Sequence, residues 1–443
     1  MSARPPRPAP AQIAAPAAPH RSPPFSRSGV RLKTRKRNIV VPNDPQAFAD
    51  AVIDVITDAF EEAGGDVAKT LDAANKVLDG AELDFSRYGE VLFEVAFAGA
   101  RLASGGASAA DAAKRKAPLC ILAAPAGREG VVPYVRWFQA MIRRRPFLVK
   151  ALEETLIKLE MSLEFYGEAA RGTIAAAAAR CFAQKVGVLP ERVLPAVLQD
   201  RLVARGTAAA FATDFFADFL GTESLEALME LLRKARMSDR LLELFPQQRR
   251  SWDAFEAHFA AAGLPALVEH TKRKRLETAA AELRAAVGAA AADEPPATPA
   301  ELFDAVKQRA AAAELADGDV ARAVFLGLVD AAAGVPGRNA QQLQLAVLRA
   351  LKAHAKLLAA HTRSARLELD LLNCAQAACY EDSRLLKLFA DVAKVLYDAD
   401  VVGEDTIKHW AAKGSLPKGR VVFLKDMAPL LAWLDEAEEE EDE

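Results

Sequence analysis

Asp44-Pro45-Gln46-Ala47-Phe48-Ala49-Asp50-Ala51-Val52-Ile53-Asp54-Val55-Ile56-Thr57-Asp58-Ala59 is the stretch that decides the fold class of this 443-residue chain. Asp44 suits a helix N-cap, where its carboxylate accepts from first-turn N–H groups, and Pro45 suits the first helical position, where its missing N–H would have no partner anyway. Phe48, Val52, Val55 and Ala59 then follow at helical spacing. The same period returns at Leu152, Leu156, Leu159 and Leu163, at Leu343, Val347 and Leu351, and at Leu385, Phe389, Val392 and Leu396, while no segment sustains the alternation of a strand. Alanine-rich runs such as Thr173 to Ala179 favour helix intrinsically, and Gly64-Gly65, Gly105-Gly106 and Gly334 to Gly337 fit helix–helix turns. The fold class is therefore all-α. Helices that each bury one stripe must stack on neighbours, and a chain of this length favours a HEAT-like α-solenoid of antiparallel helix pairs, in two helical domains, over one bundle.

Outward from that first helix, the two ends of the chain differ in charge. Ten of the 24 prolines fall in the first 45 residues, and residues 1–37 carry nine Lys or Arg and no acid, so residues 1–41 are expected to form a disordered basic tail. Residues 435–443 carry eight acids, and 438–443 read as an acidic tail. Between them the expected division is an N-terminal helical domain over 42–245 and a C-terminal one over 246–437. Three prolines between Asp293 and Pro299 interrupt the helical pattern as a linker or an inter-helix loop. The N-terminal composition also fits an organelle transit peptide, so compartment stays open on composition, although four cysteines without C-x-x-C spacing fit a reducing environment. No apolar run reaches the roughly 18 to 20 residues of a membrane span.

The familiar chemistries lack their motifs. His20, His258, His270, His354, His361 and His409 are scattered, with neither H-E-x-x-H nor a cysteine pair at metal-ligand spacing. There is no phosphate-cradling G-x-x-x-x-G-K-[ST], no G-x-G-x-x-G after a strand and no G-x-S-x-G elbow, so neither an enzyme, a metal nor a cofactor is expected. Arg143-Arg144-Arg145 followed by leucines suggests a basic leucine zipper, but Pro146 would break the continuous helix that such a motif requires.

The informative constellation lies near the C-terminus. Tyr397, Asp398, Asp400, Glu404, Asp405 and Trp410 are followed by Trp433, Asp435, Glu436, Glu438, Glu439, Glu440 and Glu441, so aromatics and acids alternate. Tryptophans at helical spacing commonly fill cores, and acid runs commonly just solvate a terminus. As a docking surface, exposed ion pairs worth about 0.2 to 1 kcal/mol each would bind a basic partner weakly, and aromatic anchors of about 2 kcal/mol or more would have to add specificity. Lys33, Arg35, Lys36 and Arg37, with Lys272, Arg273, Lys274 and Arg275, form basic clusters suited to RNA or an acidic partner, but such runs give non-specific phosphate contacts. A scaffold using an apolar concave surface also remains open.

The two acidic and aromatic boxes resemble those of the W-two domain, the HEAT-like C-terminal module of translation initiation factor five and related factors. Leu32-Lys33-Thr34-Arg35-Lys36-Arg37, Asp84-Phe85-Ser86-Arg87-Tyr88-Gly89-Glu90-Val91-Leu92-Phe93 and Asp239-Arg240-Leu241-Leu242-Glu243-Leu244-Phe245-Pro246 are similar to segments of the basic leucine zipper and W-two domain proteins, or factor-five mimics. The likeness covers most of residues 31–443, and no N-terminal zinc and GTPase-activating domain is recognisable. The resemblance implies a cytoplasmic competitor that occupies factor-five sites on the lysine-rich tail of the initiation factor two beta subunit and on factor three, restraining initiation and start-codon selection without stimulating GTP hydrolysis. The small ribosomal subunit or RNA is an alternative partner. Carried over by position, the partner-binding residues are the thirteen of the two boxes. Ala428 and Pro429 stand where related mimics tend to carry lysines, and Pro429 is expected to delay the start of the helix before Trp433.

Overall fold

The computed structural model describes residues 44–441 apart from 104–114, 126 and 294. Among the described residues there are helices and turns and no strand. The first helix, α1 (Pro45–Glu62), begins where the sequence marks it: the Asp44 carboxylate accepts from the N–H groups of Gln46 and Ala47 at 3.1 and 3.0 Å. Phe48, Val52 and Ala59 are buried, and Val55 packs on the edge of the core. Gly64 and Gly65, both at positive φ, turn the chain into α2 (Val67–Gly80).

Next come α3 (Phe85–Ala98), α4 (Arg128–Arg144), α5 (Leu148–Glu160) and α6 (Glu168–Ala183). Helix α1 packs on α3, α2 on α4, α3 on α5 and α4 on α6, the next-but-one contact of a two-layer helical stack. Pro146 separates α4 from α5, so the three arginines and the leucines after them do not share a continuous helix. Leu152, Leu156, Leu159 and Leu163 are all fully buried. The alanine run of α6 is buried nearly all round, and its small side chains let it lie close against α9 (Thr207–Leu220), which follows the short α7 (Pro190–Val193) and α8 (Asp200–Ala204).

The first core continues through α10 (Leu225–Lys234) and α11 (Trp252–Ala261). Phe255 and Phe259 of α11 are fully buried, with rings 6.1 Å from Phe245 and 5.7 Å from Phe216 respectively. The expected division after residue 245 therefore cuts through one core. Two cores instead meet along the 28-residue helix α12 (Pro265–Ala292), whose Leu267 and Val268 belong to the first and whose Leu283 and Val287 belong to the second. No residue between Val268 and Leu283 is buried. Composition could not show this seam, because it lies inside a helix whose apolar stripe changes partner without a break in helical pattern.

The second core comprises the end of α12 with α13 (Pro299–Ala312), α14 (Asp317–Ala333), α15 (Ala340–Ala353), α16 (Ala355–Ala360), α17 (Ala365–Glu381), α18 (Phe389–Asp398), α19 (Glu404–His409) and α20 (Arg420–Glu441). The proline-rich stretch before Pro299 is an inter-helix loop within this core, closed by a capping box in which Thr298 and Glu301 satisfy each other's backbone N–H groups. Pro429 does not delay α20, which begins nine residues before it. Its ring lies on the solvent side, where water can take over the carbonyl that loses its helical partner.

Candidate docking face on the C-terminal helices

Helix α17 organises the region by holding the turns that follow it in sequence. Glu368 accepts from the N–H of Gly403 at 2.8 Å and from the Thr406 hydroxyl at 2.7 Å, fixing the start of α19. Gln376, fully buried, accepts from the Trp410 indole N–H at 3.1 Å and the Leu416 N–H at 3.0 Å, and its amide donates to the carbonyls of Leu416 and Lys418 at 2.9 and 2.8 Å. Asn373 donates to the Gly414 carbonyl at 3.1 Å. After Trp410 the chain makes a π-helical turn to Gly414, where a Cβ would stand 2.8 Å from the Leu369 side chain. Such a one-turn widening redirects the chain, here toward α20.

Trp410 therefore offers no surface for docking in this fold. It has no exposed surface, its ring lies 4.7 Å from Phe389, and its one polar atom is satisfied internally. Trp433, by contrast, is 46% exposed. The half-buried Tyr397 ring meets it at 5.9 Å and 86°, so α18 and α20 present a joined aromatic pair at the surface. Of the box carboxylates, Asp398, Asp400, Asp405, Asp435 and Glu436 are exposed, and Glu404 is half-buried. Asp400 adopts φ 54°, a left-handed conformation that aspartate tolerates better than most residues and that lets the chain turn tightly after α18. Glu404 and Asp405 occupy the first turn of α19, where the helix dipole favours negative charge. Glu438, Glu439, Glu440 and Glu441 continue the helical backbone of α20.

Two contacts bring the boxes together. One is the Tyr397–Trp433 pair, and the other is Lys408, whose ammonium lies 2.8 Å from Glu404 and 3.0 Å from Asp435. Lys394 places its ammonium 5.8 Å from the centroid of the Trp433 ring. Neither lysine stood out in the sequence, nor did Gln376 or Glu368. The available signal was spacing: Lys394 precedes Tyr397 by three residues and Lys408 follows Glu404 by four, which puts each pair on one helical face.

The basic residues fare differently. Lys33, Arg35, Lys36 and Arg37 lie outside the described residues. Lys272, Arg273 and Arg275 lie in the bare middle of α12 with carboxylates facing them: Glu256 near Lys272 and Arg275 at 3.9 Å each, Glu277 near Arg273 at 3.9 Å, and Glu314 near Arg275 at 3.5 Å. Arg275 also stands over the Trp252 ring at 5.4 Å, so it joins α11 of the first core to the turn after α13 of the second. Lys274 is exposed. Among the described residues no cluster of His, Cys, Asp or Glu could hold a metal ion, and no helix is long and apolar enough to cross a membrane. Burial pushes the Cys181 and Cys379 thiols up to about 12 and Cys374 up to about 11, away from thiolate chemistry.

A stacked-helix body closed by an acidic and aromatic C-terminal face defines a HEAT protein ending in a W2 domain. The family model described as the 5MP1/2 HEAT domain matches residues 32–281, ending next to the seam between the two cores, and the W2 model, described as eIF4-gamma/eIF5/eIF2-epsilon, matches 367–443. The chain is 32% identical over 416 residues to eIF5-mimic protein 2 of Homo sapiens, covering 93% of this chain and 95% of that one. It is 31% identical over 417 residues to eIF5-mimic protein 1 of Gallus gallus, covering 93% and 97%, and 32% identical over 416 residues to that of Danio rerio, covering 93% and 96%. The chain belongs to the eIF5-mimic family and is a translation-initiation regulator related to initiation factor five.

Proposed function

We propose that this protein is a cytoplasmic competitor of initiation factor five, without catalytic activity of its own. Its C-terminal domain takes the lysine-rich tail of the initiation factor two beta subunit, and factor three, in place of factor five. Occupancy of those sites without stimulating GTP hydrolysis would restrain initiation and start-codon selection. The observation that carries the reading is Trp433, large, aromatic and half-exposed, in ring contact with Tyr397 on a domain whose α18, α19 and α20 carry exposed carboxylates. Carboxylates alone would bind a basic segment weakly and lose much of that binding within a Debye length of about 8 Å at physiological salt. A fixed aromatic supplies the short-range part that salt does not remove.

The test is calorimetric titration of the full chain with the lysine-rich tail at low and physiological salt. Saturable binding is expected. Trp433→Ala should weaken it about 30-fold, the equivalent of about 2 kcal/mol. Neutralising Glu438 to Glu441 should flatten the salt dependence while costing only a few-fold at physiological salt. Absence of binding by the folded wild-type protein would remove the beta-subunit tail as the partner.

A further inference from the structure

We propose that Lys394 is a built-in competitor at this face: in the free protein it occupies the cation seat on the Trp433 ring, and a lysine of a docking partner displaces it. The inference rests on the reading of the Trp433 face as a site for lysine-rich segments. It assigns the residue that limits affinity there.

The geometry carries it in three steps. Lys394 and Tyr397 are three residues apart on α18, so both reach α20 from one helical face, and both touch Trp433. The Lys394 ammonium, 5.8 Å from the ring centroid, is within the range in which the indole quadrupole attracts a cation. Asp391 and Asp398 stand three residues before and four after Lys394, the usual places for a helical ion pair, yet among the described residues the ammonium makes no carboxylate contact. An incoming lysine would seek the same seat, because Tyr397 already covers part of the ring and the remaining surface is what the solvent sees.

Lys408 plays a different part. Its side chain is only 25% exposed and its ammonium bridges Glu404 to Asp435, so it ties α19 to α20 and sets where those two carboxylates stand. Lys394 is exposed, and its ammonium stands over the Trp433 ring, so its removal should leave the fold intact.

The experiment titrates the full chain with an oligolysine peptide in four backgrounds: wild type, Lys394→Gln, Trp433→Leu and the double variant. Low salt keeps binding by the carboxylates measurable in the Trp433→Leu backgrounds, and the wild type and Lys394→Gln are repeated at physiological salt. Lys394→Gln should tighten binding about two- to five-fold, the range expected for vacating an exposed cation–π seat, and the gain should persist at physiological salt. In the Trp433→Leu background the gain should vanish. Lys394→Arg, which keeps a cation on the ring, should show no gain. An equal gain with and without Trp433 would mean that Lys394 acts only through long-range charge, and a loss of affinity would mean that it positions the ring for the partner; either overturns the proposal. If wild-type protein binds through Trp433 but Lys394→Gln changes nothing, the competitor fails and the docking site stands. If wild-type protein does not bind oligolysine, the docking reading itself fails and the competitor with it.

Discussion

Trp410 and Trp433 come from the same acidic and aromatic pattern, one in each box, and the fold puts them to opposite uses. Trp410 is locked under α17, with Phe389 against its ring and Gln376 on its indole N–H. Trp433 sits at the rim with a tyrosine on one side and a lysine over its face. Trp410 therefore anchors and Trp433 presents. A motif of this kind is not a row of contact residues: its interior member fixes the distance between α18, α19 and α20, on which the exposed members depend.

The largest effect should come from breaking the interior half. Trp410→Ala should cost about 3–5 kcal/mol, because it removes a large, fully buried side chain and leaves the Gln376 carbonyl short of a donor. Thermal unfolding should show the loss in the second core, and partner binding should fall only as the fold is lost. Gln376→Leu should come next, at about 2–3 kcal/mol, since it strips partners from the Trp410 indole, the Leu416 N–H and two carbonyls. Chemical denaturation would measure it, and a near-neutral result would mean that water replaces the amide. Trp433→Ala should cost stability less than about 1 kcal/mol while removing most of the affinity; a comparable loss of stability would erase the distinction between the two tryptophans.

The subtlest test contrasts Gln376 with another buried polar group. Glu160, at the end of α5 in the first core, has no exposed surface and neither carboxylate oxygen has a hydrogen-bond partner among the described residues. Burial holds its carboxyl well above the ordinary carboxylate range. The folded protein thus keeps a proton that the unfolded chain releases above pH about 4.5, so this group makes stability fall as pH rises from there toward the folded-state value, by at most about 1.4 kcal/mol per pH unit. Glu160→Gln should remove that slope, which denaturation at a series of pH values would show. An unchanged slope would place the titration elsewhere. Gln376 has its partners and builds the candidate docking face, whereas Glu160 is an uncompensated group in the core that holds the other half of the molecule.

The legible part of this protein was local. Asp44 caps α1 as its side chain demands, Pro146 ends the run that began with three arginines, and the leucines of α5 point inward at their helical spacing. Acids usually face solvent, and Asp398, Asp400, Asp405, Asp435 and Glu436 do so. The seam between the cores was not legible, since α12 keeps its helical pattern through it and only its packing partners change. Nor were Lys394 and Lys408, ordinary helical lysines until α18, α19 and α20 meet.

By itself the sequence determined that the chain is helical, where the first helix starts, and that its C-terminal segment is rich in acids and aromatics, because capping, proline geometry and apolar period act over a few residues. Only the tertiary structure decided which tryptophan is buried, which is offered to solvent, and which lysine rests on it. Those outcomes depend on the packing of helices distant in sequence, where Gln376 and Glu368 meet turns far along the chain and no local rule operates.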